Sequence, residues 1–292
     1  MLSKAACIIP THGRPGHLSR ALESVLQQSH APAEIIVVDD LDDDSTAAVV
    51  QVSALRTEIP MRRVLNRLNP GASGSRNAGA AASRAEFVAF LDDDDAWRPQ
   101  YLARAMAELD QSGADAVISG LCRIKHDGSI QPIVMPHRAE IAGRLFEKNF
   151  GMTGSNLVIR RSAFELIGGF DPALPVFNDW DFLIRMIAAG VEYGVVPELT
   201  VEWREHEGDR ISTPSLRRAA GIETFIAKHG AIMPPVNRRD LTAIALGIRW
   251  RNAGSVIGRL TLAAKLLRLL GLREAIGRRL KTTRRGAIEV NS

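Results

Sequence analysis

The chain has 292 residues, of which 46% are hydrophobic and 24% charged, with a formal net charge of +4. Those proportions belong to a soluble globular protein with room for one large α/β domain, or one domain and an appendage. No run of 18 uninterrupted apolar residues occurs and the apolar stretch in MLSKAACIIPTHGR is short, so neither a spanning helix nor a signal peptide is expected. Cys7 and Cys122 are the two cysteines, which gives no disulfide framework and makes a reducing cytosol the expected compartment. The charge is uneven. Residues 237–292 hold thirteen Arg/Lys against Asp240, Glu274 and Glu289, so this tail carries +10 and the rest of the chain −6. Such a tail points to an anionic partner.

In chain order, residues 6–10 (ACIIP) form a short apolar run ended by the turn signal Pro10-Thr11-His12-Gly13. Residues 17–28 carry Leu18, Ala21, Leu22, Val25 and Leu26 at helical spacing. Residues 34–39 (EIIVVD) are β-branched and too few for a helix, so they read as a buried strand ending in acids. A helix over 45–55, a strand over 61–65 and an alanine-rich helix over 73–83 follow. Residues 86–91 (EFVAFL) are the next strand and run directly into Asp92-Asp93-Asp94-Asp95. A helix over 98–112 and a strand over 115–119 complete the alternation. Beyond it come a hairpin around His126-Asp127-Gly128, a strand over 156–160, a short helix over 162–167 and a helix over 179–189. After Pro234 the pattern is basic and helical, with Leu262, Leu266 and Leu269 on one face.

Strands alternating with helices imply an α/β fold, a mostly parallel sheet flanked by helices. Ligands of such sheets bind outside the carboxyl ends of the strands. Three strand ends here carry polar clusters: residues 11–14, Asp39-Asp40 and the aspartate run. They are expected to converge on one edge.

Four adjacent carboxylates repel one another and need a cation or solvation, and an oxygen-rich cluster suits Mg²⁺ or Mn²⁺ held together with substrate phosphates. The competing reading is a solvated acidic loop. Asp39 and Asp40 end a strand where a ribose or base would be met, with Asp44 or Ser45 capping the next helix. Residues 71–79 (GASGSRNAG) put glycine, serine and Arg76 at a helix N-terminus suited to phosphate. A cation there opposes the helix dipole, which favours anion binding by Arg76; a salt bridge to an aspartate competes with that role.

Taken in order, IIPTHGR, VVDD with its Ser-Thr, GASGSRNAG, FVAFLDDDDAWRP, and then GGFDPAL with NDWDFLIR resemble glycosyltransferase family 2 over residues 4–210. The resemblance implies a GT-A, Rossmann-type fold, to which the basic helical pattern after Pro234 adds a C-terminal helical extension. The domains expected are then a catalytic domain over 1–235, with a nucleotide-sugar half (1–120) and an acceptor half (121–235), and the basic amphipathic tail read from the charge pattern over 236–292. Pro10, Thr11, Arg14, Asp39, Asp40, Arg76, Asp92 and Asp93 would bind the nucleotide sugar. Asp94, Asp92 and His206 would hold Mn²⁺ or Mg²⁺, Asp95 would enter the next helix, and Asp179 would be the catalytic base of an inverting transfer. Two departures stand out: an acidic Leu41-Asp42-Asp43-Asp44 loop after Asp40, and Asn178 where the family usually has Glu.

The expected donor is a nucleoside-diphosphate sugar, UDP favoured, and the acceptor a glycan or lipid-linked hydroxyl. Nucleic acid is not expected, with aromatics at 5% and no recognisable module. The tail is a candidate for an anionic membrane surface at the inner face of the plasma membrane, or for packing on the domain or a second subunit. Two other readings compete: a nucleotidyltransferase, and a catalytically silent nucleotide-sugar-binding or membrane-scaffolding protein.

Overall fold

The computed structural model describes residues 3–67, 69–141, 143–205 and 215–271. The chain divides into two compact units. The first comprises Met1–Ala142, Phe150–Pro172 and Asn178–Glu207; the second comprises Gly143–Asn149, Ala173–Phe177 and Gly208–Ser292.

The first unit opens with β1 (Ala5–Thr11), α1 (Pro15–Leu26), β2 (Glu34–Asp39), α2 (Asp44–Ala54), β3 (Met61–Leu65), α3 (Ala72–Ala82) and β4 (Phe87–Phe90). Every residue of β1 and β4 is buried, which is why both read as unbroken apolar runs rather than as alternating ones. Pro15 starts α1 where its missing N–H costs nothing, and Leu18, Ala21, Leu22 and Val25 bury one stripe. The cap of α2 is Asp43, one residue before the expected Asp44 or Ser45. Its side chain accepts from the Thr46 N–H at 2.9 Å. Bonds from Ser45 and Thr46 hold that carboxyl down at about 2.

The strands β3-β2-β1-β4 are parallel throughout, with Thr11 beside Asp39 and Asp39 beside Leu65. Helix α3 lies close on this sheet because residue 79 is glycine. A Cβ there would stand 2.3 Å from Ile8 Cγ2.

The unit continues with β5 (Ala96–Trp97), α4 (Tyr101–Ser112), β6 (Ala116–Ile124), β7 (Ile130–Ile133), α5 (Arg138–Ile141), β8 (Leu157–Arg160), α6 (Arg161–Ile167), α7 (Asn178–Ala188) and β9 (Tyr193–Arg204). The sheet order is β3-β2-β1-β4-β8-β6-β9-β5, with β7 added to β6 as the second arm of the expected hairpin. Strand β8 runs antiparallel to both β4 and β6, whereas β6 and β9 are parallel. Asp95 leads into β5 rather than a helix; α4 begins at Tyr101, six residues further on.

The second unit holds α8 (Leu216–His229), α9 (Pro235–Arg251) and α10 (Val256–Leu270). Val176 packs where Gly221 leaves no Cβ, and Phe177 meets Phe225 edge-on at 5.4 Å. Asn237 donates to the Phe146 carbonyl at 2.9 Å, and Arg249 clamps Glu223 with bonds of 2.6 and 2.5 Å. No helix among the described residues is long and apolar enough to cross a membrane.

Candidate active site

The carboxyl ends of β1, β2 and β4 lie side by side, so the three polar clusters do share one edge of the first unit. Pro10 is buried within β1 itself, and Thr11 ends the strand almost fully buried. The Thr11 hydroxyl donates to Asp93 at 2.7 Å. Arg14, at the entry of α1, reaches across the edge. It donates to both oxygens of Asp93, from Nε at 3.2 Å and from Nη2, and to Asp94 at 3.1 Å. Asp93 has no solvent exposure, and burial pushes its carboxyl up to about 7 against the pull of Arg14 and Thr11.

The acids at the end of β2 face different partners. Asp39 accepts from the N–H groups of Leu41 and Asp43 and from Arg63 at 2.7 Å, while Arg63 and Arg67 also hold Asp42. Asp40 accepts from the Gly71 N–H at 2.5 Å, Asn66 Nδ2 at 3.0 Å and the Ser75 hydroxyl. His12 Nδ1 stands 3.8 Å from Asp40 and is 61% exposed. Asp40 therefore ties the end of β2 to the loop that enters α3, and Asn66 reinforces the tie through the Asn69 carbonyl and Ser75.

Arg76 joins the two sides of the site. Although it lies in the first turns of α3, it is 2% exposed, so it is not presented to solvent as a surface cation. Its Nη2 donates to both oxygens of Asp92, at 2.6 and 2.9 Å, and its Nη1 stands 3.5 Å from Asp179 Oδ1. The guanidinium lies over the Phe170 ring at 4.9 Å. Phe170 is fixed in turn by Asn77, whose amide donates to the Phe170 carbonyl at 2.7 Å and accepts from its N–H at 2.8 Å. Gly154 completes the cage: a Cβ there would sit 2.5 Å from the guanidinium. The salt bridge weighed against anion binding for Arg76 is thus formed, with Asp92 and Asp179 as its partners.

Asp179 lies in the first turn of α7, with Asn178 donating to Ser73 at 3.2 Å beside it. Burial pushes the Asp179 carboxyl up to about 6. Arg76 pulls it down, and the negative charge of Asp92 adds to the rise. Asp179 Oδ1, Arg76 Nε and Nη1 are buried without a hydrogen-bond partner among the described residues. Arg76 Nη1 and Asp179 Oδ1 face each other at ion-pair distance, and buried groups left without a hydrogen bond call for an explanation such as a catalytic role or a bound water or ion.

Asp95 is also buried. Its carboxyl is pushed well up by burial and by Asp92 and Asp94, and it accepts from the Ser155 hydroxyl at 2.5 Å. The same hydroxyl accepts from the Asp92 N–H at 3.1 Å. The four aspartates thus differ: Asp93 and Asp95 point inward, while the side chains of Asp92 and Asp94 remain 29% and 30% exposed.

Among the described residues no group of three His, Cys, Asp or Glu side chains converges as a ligand set. Asp92 and Asp94 still fit a hard divalent cation, because such ions commonly take one or two carboxylates and complete their shell with phosphate and water. His206 lies outside the described residues. Asn66, Gly154 and Ser155 lie outside every motif read in the sequence, and Ser75, Asn77 and Phe170 lie inside motifs without a role assigned to them. Each acts through a backbone contact or a polar bond to a residue distant in the chain, and no motif spacing announces such a bond.

The description "Glycosyl transferase family 2" matches residues 6–168, and "Glycosyltransferase like family 2" matches residues 126–217. The chain belongs to glycosyl transferase family 2. The succinoglycan biosynthesis protein ExoO of Rhizobium meliloti is 30% identical over 241 residues, covering 77% of this chain and 67% of that protein. An uncharacterized glycosyltransferase of Haemophilus influenzae is 29% identical over 185 residues; the match spans 62% of this chain and 60% of the relative's length. Among solved structures, S. aureus TarS 1-349 in complex with UDP-GlcNAc has a TM-score of 0.63 at 16% identity, covering 91% of this chain and 81% of that one. The mannosyltransferase PcManGT from Pyrobaculum calidifontis, in complex with GDP-Man and Mn²⁺, has a TM-score of 0.59 at 17% identity, covering 97% and 88%. The α/β sheet with its flanking helices is therefore the GT-A fold of family 2 proteins.

Proposed function

We propose that this family 2 protein transfers a sugar from a nucleoside-diphosphate sugar to an acceptor hydroxyl of a glycan or lipid-linked glycan, with inversion. The observation that carries the reading is the Arg76 bridge. It couples the aspartate run at the end of β4 to Asp179 at the start of α7, so a donor-side carboxylate and a candidate base share one guanidinium. Asp179 has the attributes of a base near neutrality: a half-buried carboxyl raised to about 6, with one oxygen free of hydrogen bonds among the described residues. It would take the proton of the acceptor hydroxyl as that oxygen attacks the anomeric carbon. A single displacement inverts the configuration.

On the donor side, Thr11, Asp40 and the loop around Asn66 would line the base and ribose, and Arg76 would add positive charge beside the diphosphate. Asp94 and Asp92 would hold Mn²⁺ or Mg²⁺, which when bound supplies Lewis-acid stabilisation to the departing diphosphate. Donors of two bases occur in the complexes of similarly folded proteins, UDP-GlcNAc for TarS and GDP-Man for PcManGT, which supports a sugar-nucleotide donor of this class. We take UDP-sugars as the first to test. The relatives ExoO, a succinoglycan biosynthesis protein, and WcaA of Escherichia coli, named for colanic acid biosynthesis, support a polysaccharide or glycolipid acceptor.

The deciding experiment is release of nucleoside diphosphate from a panel of UDP-, GDP- and dTDP-sugars, with and without Mn²⁺ or Mg²⁺. Metal-dependent turnover of one donor is expected. Release of pyrophosphate from a nucleoside triphosphate and sugar phosphate would instead identify a nucleotidyltransferase, and no turnover of any donor would favour a binding protein.

A further inference from the structure

Helix α10 differs from every other long helix among the described residues: none of its fifteen residues is buried. The leucines that mark its amphipathic face in the sequence, Leu262, Leu266 and Leu269, are half-buried. A second apolar row remains in the open. Val256 is 74% exposed, Leu260 65% and Leu267 42%, with Ala264 between them and Ile257 alongside at 78%. Positions 256, 260, 264 and 267 are spaced i, i+4, i+8 and i+11, so they line one stripe of the helix.

The charges around that row are of one sign. Helix α10 contains Arg259, Lys265 and Arg268 and no acid, and Arg251 ends the helix before it. Among the described residues, none of these four cations has an acidic partner. Other arginines contrast with them: Arg14, Arg63, Arg76, Arg123, Arg160 and Arg185, and Arg249 in the second unit, each sit against carboxylates.

We propose that the Val256–Leu260–Leu267 row, with Arg251, Arg259, Lys265 and Arg268, is a docking surface for an anionic lipid bilayer. Helix α10 would lie in the plane of the interface, its apolar row among the upper acyl carbons and its cations among the headgroups. Charge selects this occupant over the two others at hand. A second copy would bring a second +10 tail to the same surface, and one row of aliphatic side chains is far smaller than the roughly 20–30 residues a side of a stable interface. The chain's own residues 272–292 hold six Arg/Lys against Glu274 and Glu289, so they too are cationic. An anionic bilayer matches both the apolar row and the unpaired cations.

The test uses the full chain and sucrose-loaded vesicles of phosphatidylcholine, with or without phosphatidylglycerol. One triple and one double variant are compared: Val256→Ser/Leu260→Ser/Leu267→Ser and Lys265→Glu/Arg268→Glu. All five positions are exposed, so circular dichroism and the melting temperature should match the parent. The parent is expected to sediment with the phosphatidylglycerol vesicles, to be released by salt, and to remain in solution with phosphatidylcholine alone. Each variant is expected to lose at least about tenfold in partitioning. Equal partitioning of parent and both variants would overturn the proposal. So would light scattering that finds the parent dimeric and the serine variant monomeric without lipid. Donor turnover in solution should be the same for all three proteins, so failure here leaves the sugar-transfer reading standing.

Discussion

The guanidinium of Arg76 stands 3.5 Å from the Asp179 carboxylate while its other terminal nitrogen holds both oxygens of Asp92. One buried cation thus neutralises part of two acids that come from different elements, and it sets their separation. Replacing Asp179 by Asn removes the proposed base and keeps the shape. Donor binding, measured by calorimetry, should change little, while transfer should fall roughly 10²- to 10⁴-fold. Loss of donor affinity with an unchanged chemical step would sink the assignment. If Asp179 is the base, the competent form is the ionised carboxylate, and burial has pushed its pKa up to about 6. The ionised fraction grows as pH rises, so kcat/KM should climb through about pH 6 and lose that acidic limb in the Asn variant.

Much of this site was readable in the sequence because its acids sit at the ends of apolar strands. EIIVVD and EFVAFL can only be buried strands, and whatever follows them must emerge at one sheet edge. The direction of β8 was not readable, since a strand of four residues, three of them apolar, pairs equally well either way. Strand β9 was missed for a physical reason: Pro197 interrupts YGVVPELTVEWR, and a proline argues against a central strand. The structure absorbs it in an irregularity. Ser119 pairs with Val196 but Gly120 with Leu199, so Pro197 and Glu198 fall outside the ladder. A Cβ at Gly120 would meet the Pro197 and Glu198 carbonyls at 2.8 Å, so that glycine belongs to the same device. The division of labour within the aspartate run was hidden too. Four identical side chains look equivalent in sequence, and only Thr11, Arg14, Arg76 and Ser155 distinguish them.

Gly154 tests the Arg76 cage without touching any charge. An added methyl would stand 2.5 Å from Nε and Nη2 of Arg76, and the guanidinium is already packed on Phe170. Gly154→Ala should therefore push Arg76 off Asp92 and Asp179. Overpacking of this kind costs about 1–3 kcal/mol, visible in a urea titration. The informative readout is kinetic: the acidic limb of the pH profile should move upward, because the cation that lowers the Asp179 pKa has been displaced. An unshifted limb would mean that Arg76 does not set the proton affinity of Asp179.

Arg14 should matter to stability in a pH-dependent way. Asp93 is fully buried, and Thr11 and Arg14 are its partners. Removing Arg14 with Leu leaves a buried carboxylate with one hydrogen bond, at a cost of about 1–3 kcal/mol. The sign with pH follows from the native value of about 7 against an ordinary 3.8. Between those values the native state binds more protons than the unfolded one, so this group's contribution falls as pH rises. Loss of Arg14 raises the native value further and extends that window upward. The gap between Arg14→Leu and the parent should accordingly be larger at pH 8 than at pH 5, where Asp93 is protonated in both. A gap that does not grow with pH would show that Arg14 is dispensable to Asp93.

Asp94 carries the metal reading. Its carboxylate is 30% exposed and shares one oxygen with Arg14, so it can take a cation without unfolding the site, whereas the buried Asp93 and Asp95 cannot. Asp94→Asn keeps the shape and removes the charge. The Mn²⁺ or Mg²⁺ concentration for half-maximal donor turnover should rise by at least about tenfold, since even outer-shell changes at metal sites cost that much. Stability should hardly change, because a partly exposed acid paired to a partly exposed arginine contributes little. Chelation of the parent should abolish turnover and added Mn²⁺ should restore it. If Asp94→Asn and the parent require the same metal concentration, the cation is held elsewhere, and Asp94 serves instead as a second anchor for Arg14.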